Sequence, residues 1–228
     1  MFHVKQAGPS SFSLKWSHMD ASLNPEAVAE FFGDSFEKVA TFADQLAIQG
    51  ELRGLIGPRE LDRLWERHIL NSAAVVQYLP AQGSIIDLGS GAGLPGIVIG
   101  CMLPDAQVTL VEPMERRCNW LNEMVEEIGL PNVEVKRGRA EEFHGAFTAD
   151  AVTARAVAAL DKLSRWALPL LHEGGQMVLL KGRSVDAEIE PAMKVLRKYK
   201  CTEPEILEGT TIEGVESTTI LRTTRRKP

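Results

Sequence analysis

The alternation of short apolar runs with helical patterns between residues 83 and 200 restricts the fold of this chain more than any other feature. The run at 84–89 is almost wholly apolar, which is typical of a parallel strand that helices cover on both faces. Four later runs predict further strands, at 107–112, 133–137, 149–154 and 176–181. Helical patterns are interspersed with them, at 95–103, 115–128, 159–171 and 185–200. We therefore predict an α/β protein with a mostly parallel, Rossmann-like sheet.

The first third of the chain has a helical pattern instead. Asn24 followed by Pro25 is a helix start, with a capping side chain and then proline at the first helical position. Apolar residues keep a helical period from there to about residue 50. A second helical region opens at Pro58 and continues to Pro80. These patterns predict a helical extension that precedes the sheet.

The chain closes differently, with two β-like stretches at 203–207 and 217–224 and no helix between them. Strands joined without a helical crossover pair antiparallel, so we expect an antiparallel last strand on the sheet. The prediction divides the chain into a flexible N-terminus, a helical extension and a ligand-binding domain, at 1–23, 24–82 and 83–228.

The composition is typical of a protein with a buried core, since 44% of the residues are hydrophobic and 25% are charged. No apolar run approaches the roughly 20 residues that cross a bilayer, and the first 17 residues do not have the pattern of a secretory signal. The three cysteines form neither a CxxC pair nor a cluster with histidine, which argues against a disulfide framework and a zinc site. We expect a cytoplasmic protein without membrane segment or metal.

The net charge of -6 gives no direct support for nucleic-acid binding. Phosphate binding nevertheless needs only a local positive face, and the basic residues are bunched. The clusters lie at 116–117, 136–139, 181–183 and 222–227. For any one cluster, ordinary solvated surface charge is the alternative explanation.

A glycine-rich turn follows the first predicted strand, where α/β proteins bind their ligands. Gly91, Gly93 and Gly96 match the GxGxxG pattern, in which a dinucleotide pyrophosphate meets a helix N-terminus. Alone that match is weak. The wider segment has an acid, Asp87, two residues before Gly89.

The charge of Asp87 separates two possible ligands. A carboxylate repels a pyrophosphate, but it binds a cationic ammonium directly or through water. S-adenosylmethionine carries an ammonium and a sulfonium and has no phosphate. The turn therefore favours S-adenosylmethionine, with an NAD-dependent oxidoreductase as the alternative.

Two further positions suit a nucleoside ligand. Glu112 ends the second predicted strand, about 20 residues beyond the turn, where a carboxylate accepts hydrogen bonds from both ribose hydroxyls. After the third strand, Ala140 and Glu141 offer a backbone N–H and a carboxylate to an adenine edge. An acid that stabilises a helix N-terminus is the alternative role of Glu141.

With these pieces, the chain resembles the ribosomal RNA small subunit methyltransferase G family. Five motifs carry the resemblance, in the same order as in the family: Glu-Arg-His-Ile-Leu-Asn-Ser at 66–72, Ile-Asp-Leu-Gly-Ser-Gly-Ala-Gly-Leu-Pro-Gly at 86–96, Gly-Arg-Ala-Glu-Glu-Phe at 138–143, Thr-Ala-Arg-Ala at 153–156 and Leu-Lys-Gly at 180–182. The chain departs from the family pattern at 45–57 and at Asn71, where aspartate is common.

The resemblance implies a class I methyltransferase fold and methyl transfer from S-adenosylmethionine to N7 of a guanine in 16S ribosomal RNA. It implies cofactor contacts at Gly89, Leu94, Ala140, Glu141 and Arg155. We group Asp87, Gly91, Gly93 and Glu112 with them on the arguments above. The RNA side of the site is expected at Arg67, His68, Arg139 and Lys181, and the implied partner is 16S rRNA or the small ribosomal subunit, bound by a monomer.

This chemistry requires no general base, because guanine N7 already carries an exposed lone pair. We therefore assign no catalytic residue and expect the protein to act by alignment. Exocyclic-amine methyltransferases carry an Asn/Asp-Pro-Pro-aromatic stretch after the fourth strand. This chain has Thr-Ala-Arg-Ala there, at 153–156, and so lacks that signature. Simpler roles exist for three candidates: Arg155 as an ion-pair partner of Glu141, Lys181 as a solvated strand end, and His68 as a packing residue. A methyltransferase of another substrate remains the nearest alternative.

Overall fold

The computed structural model of the protein describes residues 18–227 and contains a seven-stranded sheet. The strands are β1 Gly83–Leu88, β2 Ala106–Glu112, β3 Val133–Arg137, β4 Ala149–Arg155, β5 Leu171–Lys181, β6 Glu205–Gly209 and β7 Thr218–Thr224. Their order is β3-β2-β1-β4-β5-β7-β6. Strands β1 to β5 pair in parallel, whereas β7 pairs antiparallel with both β5 and β6. The predicted α/β fold, with its mostly parallel sheet and antiparallel last strand, is confirmed.

The helices follow the predicted alternation. They are α1 Pro25–Phe32, α2 Phe36–Gln49, α3 Asn71–Ala73, α4 Gly96–Met102, α5 Glu115–Ile128, α6 Leu160–Ala167 and α7 Asp186–Lys198. The prediction for the end of α6 is wrong, because we extended that helix to residue 171. The chain instead makes a 3-10 turn at Leu168–Leu170 around Pro169, which has no N–H for a helical bond, and enters β5 at once.

The sheet is buried on both faces, as the apolar strand runs predict. Ile85 of β1 belongs to a hydrophobic cluster shared with α1 to α5, and its neighbour Ile86 belongs to a second cluster shared with α6 and α7. Successive side chains of a strand point to opposite faces, so one strand contributes to both clusters. The carboxyl ends of the parallel strands therefore form an edge between two packed layers.

The helical extension packs on the same core as the sheet. Phe42 and Leu46 of α2 lie in one cluster with Ile97 of α4 and Leu121 of α5. The cap predicted for α1 is present, since Asn24 Oδ1 accepts hydrogen bonds from the next helical amides at 3.0 and 3.4 Å.

The region from Pro58 to Pro80 is less regular than the helix we predicted. It consists of a 3-10 turn at Pro58–Arg63, a π-helical segment at Trp65–Leu70, helix α3 and a 3-10 turn at Val76–Tyr78. Within residues 18–227, no helix is long and apolar enough to cross a bilayer.

One contact of the helical extension comes from a residue that precedes α1. Asp20 is buried, and its carboxylate accepts hydrogen bonds from the amides of Trp65 at 3.1 Å and Glu66 at 2.8 Å. A residue before the predicted boundary at 24 thus anchors the π-helical segment. The first 17 residues of the predicted flexible terminus lie outside the described part of the chain.

Candidate active site

Two adjoining cavities open at the carboxyl ends of the parallel strands. The first cavity has a volume of about 490 Å³ and is lined by Leu88, Gly89, Val111, Glu112, Pro113, Met114, Arg117, Gly138, Arg139, Ala140, Glu141, Ala156, Val157, Lys162 and Trp166. The second cavity has a volume of about 350 Å³ and is lined by His68, Asn71, Ala154, Arg155, Ala156, Val157, Ala158, Leu163, Leu180, Lys181 and Gly182. Ala156 and Val157 line both cavities, so they form a shared wall.

The wall depends on an unusual backbone conformation and on a glycine opposite it. Ala156, directly after β4, has a φ of 54°, a region that few residues other than glycine adopt. Gly89 has a φ of 69°, and a Cβ at that position would lie 2.9 Å from Cγ2 of Val157. Glycine at position 89 therefore lets the turn after β1 approach the wall closely.

Glu112 lies at the end of β2, on the lining of the first cavity, and is buried. Its two carboxylate oxygens accept hydrogen bonds from the amides of Gly91 and Met114, both at 2.9 Å. The guanidinium of Arg117 approaches the same carboxylate at 3.9 Å. Glu112 thus fixes the glycine turn against Met114, the residue before α5. It lies in the place predicted for the ribose acceptor.

Asp87 lies beneath the glycine turn and lines neither cavity. Its side chain is fully buried; Oδ2 accepts a hydrogen bond from the Gly96 amide at 3.0 Å, and Oδ1 has no partner. Burial raises the pKa of Asp87 to about 7. A buried carboxylate oxygen without a donor is rare in folded proteins, and an ammonium group is the kind of donor that it lacks. The Asp87 carboxyl therefore fits a cationic ligand, although it is set deeper than a direct contact at the cavity surface requires.

Three of the predicted cofactor contacts in the turn are not part of the lining of the first cavity. Gly91 gives its amide to Glu112, and Leu94 is buried in the larger hydrophobic cluster. A Cβ at Gly93 would lie 2.7 Å from Ile97, so this position is packed against α4. Direct cofactor contact at these three residues stays a prediction. They shape the turn, and sequence spacing alone does not show which side of a turn faces the ligand.

The opposite side of the first cavity is built by the segment after β3. Ala140 and Glu141, predicted to meet an adenine edge, line this cavity, and Glu141 is exposed to it on the 3-10 turn Ala140–Phe143. Arg139 was grouped with the RNA side, but it lines the first cavity, not the second. The amide of Gly138 donates to the Glu112 carbonyl at 3.2 Å, which draws this segment toward β2.

The residues of the first cavity that sequence reasoning did not assign to the site include Met114, Arg117, Lys162 and Trp166. Because Met114 follows Glu112 by two residues, its position in the sequence could have predicted that it lies beside the end of β2. Lys162 and Trp166 come from α6, where the Lys162 ammonium lies 4.9 Å from the centre of the indole ring. Their position depends on how α6 packs, for which the sequence carries no local signal.

The second cavity gathers Arg155, His68 and Asn71 around one guanidinium group. Both terminal nitrogens of Arg155 donate to Nδ1 of His68 at 3.2 Å, and Nη1 also approaches Oδ1 of Asn71 at 3.5 Å. Nε2 of His68 donates to the Glu60 carboxylate at 3.0 Å. Burial first, and then the charge of Arg155, lower the pKa of His68, so the imidazole is neutral and accepts from the arginine.

This arrangement brings together two of the predicted basic residues, Arg155 and Arg67. Arg155 was expected among the cofactor contacts, but its guanidinium lies on the second cavity. Its partners are on the helical extension, and no ion pair with Glu141 occurs among the described residues. Arg67 contributes its backbone carbonyl to Arg155 at 3.4 Å, while its half-exposed side chain lies 3.8 Å from Glu60.

Lys181 lines the second cavity, and its ammonium is already paired. It donates to Oε2 of Glu188 at 2.6 Å and to the carbonyl of Ala158 at 3.3 Å. Only 9% of its side chain is exposed, so the solvated strand end that we considered is not what the structure contains.

Among the described residues, no group of three or more His, Cys, Asp or Glu side chains is arranged to hold a metal ion.

The strand order, the glycine turn after β1 and the acidic end of β2 together define a class I S-adenosylmethionine-dependent methyltransferase fold. A solved structure with this fold, an S-adenosylmethionine-dependent O-methyltransferase from Thermotoga maritima, superposes with a TM-score of 0.59 at 16% identity. The superposition covers 82% of this chain and 72% of that one.

Within this class, the chain belongs to the rRNA small subunit methyltransferase G family, which it matches over residues 35–211. A relative from Thermobifida fusca, named ribosomal RNA small subunit methyltransferase G, is 48% identical over 206 residues, which cover 87% of each chain. A relative of the same name from Leifsonia xyli is 50% identical over 206 residues, covering 90% of this chain and 97% of that one. The family resemblance found in the motifs is confirmed.

Proposed function

We propose that this protein transfers a methyl group from S-adenosylmethionine to N7 of a guanine in 16S ribosomal RNA. The observation that carries the proposal is the pair of cavities on either side of Ala156 and Val157, one suited to a nucleoside and the other lined by cationic side chains. Family membership supports the RNA substrate, since the relatives are named as methyltransferases of the small ribosomal subunit RNA.

The first cavity has the groups that the proposed cofactor requires. Its volume of about 490 Å³ lies within the roughly 300–1,000 Å³ of small-molecule sites. Glu112 would hold the ribose, Ala140 and Glu141 the adenine edge, and the unpartnered oxygen of Asp87 the charge of the amino-acid tail. When bound, S-adenosylmethionine supplies an electrophilic methyl carbon on a sulfonium.

The second cavity suits an electron-rich purine base. Guanine N7 carries a lone pair in its ordinary neutral form, so the protein does not need to remove a proton before attack. Arg155 presents a guanidinium that His68 orients, and arginine donates to the O6 edge of guanine or to phosphate. The protein thus contributes alignment of the two reactants, which alone supplies several kcal/mol.

The proposed substrate also sets the context in which the protein works. We assign it to the cytoplasm, with 16S rRNA or the small ribosomal subunit as its partner, and expect it to act as a monomer.

The proposal is tested by methyl transfer from radiolabelled S-adenosylmethionine to two substrates: small subunits that lack the modification, and 16S rRNA freed of protein. We expect about one methyl group per particle, at N7 of a single guanine, and chemical mapping of the product identifies the base. A protein that binds S-adenosylhomocysteine but labels neither substrate would rule out the proposed substrate while leaving the cofactor assignment intact.

A further inference from the structure

A half-buried ion pair contacts the segment that follows the wall between the two cavities. Oε2 of Glu188 on α7 lies 2.6 Å from Nζ of Lys181 at the end of β5, and it also accepts a hydrogen bond from the amide of Leu160 at 2.7 Å. Lys181 in turn donates to the carbonyl of Ala158 at 3.3 Å. The two charged side chains therefore bind the backbone of the segment that follows the wall residues.

The contacts fall at the segment where the backbone needs support. Residues 156–159 connect β4 to α6, and this connection begins with the positive φ of Ala156. A residue held in a sparsely populated conformation persists only where its surroundings fix it. The carbonyl of Ala158 and the first amide of α6 are both fixed by the pair, which leaves Val157 directed at Gly89.

We propose that Lys181 and Glu188 act as a positioning pair, which holds segment 156–160 so that the wall keeps the cofactor and the guanine in line, and that Lys181 does not bind RNA phosphate. The inference rests on the proposed function for its consequence in catalysis. Glu188 was not among the site residues predicted from the sequence, and it lines neither cavity.

The pairing of Lys181 explains why this ammonium is unsuited to bind RNA. With 9% of its side chain exposed and a carboxylate at 2.6 Å, it is already neutralised and directed away from solvent. Binding a phosphate would require the Glu188 contact to break and would leave that carboxylate without its cation. Arg155 has no carboxylate within ion-pairing distance among the described residues, so it is the better placed cation on this cavity.

The test compares the variants Lys181→Met, Glu188→Ala and Lys181→Met/Glu188→Gln with the native protein. For every variant we expect kcat to fall, by up to roughly 100-fold for a misplacement of about 1 Å, while KM for RNA stays within about threefold. The double variant should be no worse than the more affected single variant, because the two side chains act as one unit. The slope of log KM against log salt should not change.

A second readout does not depend on methyl transfer. Amide hydrogen exchange of residues 156–160 in the ligand-free protein should become faster in Glu188→Ala and Lys181→Met, because the Leu160 amide and the Ala158 carbonyl lose their fixed partners. Glu190→Ala is the matched control: this exposed residue lies on the same helix and carries the same charge, and its loss should change neither exchange nor kcat. If Glu188→Ala does not fold, Glu188→Gln retains an acceptor for Leu160 and is measured instead.

Two results would overturn the proposal. The first is a Lys181→Met variant whose KM for RNA rises tenfold or more and whose salt slope falls by roughly 0.7 to 0.9, which is the signature of one lost phosphate contact. The second is unchanged exchange at 156–160 in both single variants. A native protein that transfers no methyl group to ribosomal RNA would instead contradict the proposed function, and the exchange measurement would still decide on the pair.

Discussion

Asp87 is the buried carboxyl beneath the glycine turn, and we expect its protonation to be linked to cofactor binding. Burial raises its pKa to about 7, so in the ligand-free protein most of this carboxyl is protonated at pH 6 and most is ionised at pH 8. A cationic ligand prefers the ionised form, and at low pH its binding must first expel the proton. We expect S-adenosylhomocysteine to bind about tenfold more weakly at pH 6 than at pH 8, measured by calorimetry.

Asp87→Asn is the matched variant, since it keeps the shape of the side chain and cannot ionise. Its affinity for S-adenosylhomocysteine should be lower and independent of pH across the same range; a pH dependence equal to that of the native protein would contradict the assignment. The same raised pKa has a consequence for stability. The folded chain holds a proton that the unfolded chain releases, so this group makes the free energy of unfolding fall as pH rises from about 4 to about 7.

A substitution at Arg155 tests whether the first cavity binds the cofactor and the second cavity binds the RNA base. Because its guanidinium lies on the second cavity, Arg155→Ala should leave the affinity for S-adenosylhomocysteine within about twofold and reduce methyl transfer by roughly 10- to 100-fold, the discrimination expected of one good base contact. Arg165→Ala removes an exposed arginine of α6 and should change neither quantity. A loss of cofactor affinity in Arg155→Ala would return this residue to the cofactor contacts expected from the family resemblance.

At the scale of residues, the sequence predicted which side chains lie at the carboxyl edge of the sheet better than it predicted their hydrogen-bond and ion-pair partners. Gly89, Glu112, Ala140 and Glu141 are on the first cavity as predicted, because strand ends of a parallel sheet share one edge. The partner of Lys181 was not predictable, since a spacing of seven residues across a loop has no fixed geometry. The direction in which Arg155 points depends on the helical extension that supplies its partners.

At the scale of elements, the π-helical segment Trp65–Leu70 depends on a residue far from it in sequence. The carboxylate of Asp20 accepts from the first two amides of this segment, in the manner of a helix cap. Asp20→Ala should lower the free energy of unfolding by about 1 to 2 kcal/mol, as the loss of a capping side chain does, measured by denaturant titration. Asp20→Asn keeps one acceptor and should cost less.

The exposed Asp34 provides the control for this experiment, because it lies on the same extension. Asp34→Ala should change the free energy of unfolding by less than about 0.5 kcal/mol, the usual effect of a surface substitution. An Asp20→Ala variant as stable as the native protein would mean that the contact contributes nothing, and that the extension does not depend on residues before α1.

The elements themselves were largely predictable where their signals are local. Helix α5 and strand β3 have the predicted bounds, since Gly129 ends the helix in a left-handed cap and the valines of the strand alternate with charged residues. The boundary between α6 and β5 was not. Strand β5 continues past a register shift opposite Ala149 and Ala151, and pairing of this kind is fixed by the neighbouring strand, not by the apolar pattern of β5 alone.

At the scale of the whole molecule, the alternation of apolar runs and helices was enough to define the sheet, because each strand needs cover on both faces. The antiparallel direction of β7 followed from the missing crossover helix, whereas its place between β5 and β6 did not. The two cavities were not foreseeable as a pair. They exist because one strained connection, at Ala156 and Val157, separates the space above β1 and β2 from the space above β4 and β5.

The most direct test of this two-cavity account is a crystal structure of the protein with S-adenosylhomocysteine. We predict that the ligand occupies the first cavity, with its ribose at Glu112 and its amino-acid end toward the turn above Asp87, and that the second cavity stays free for the base. A ligand seated in the second cavity beside Arg155, or a nucleoside that makes no contact with Glu112, would contradict the account.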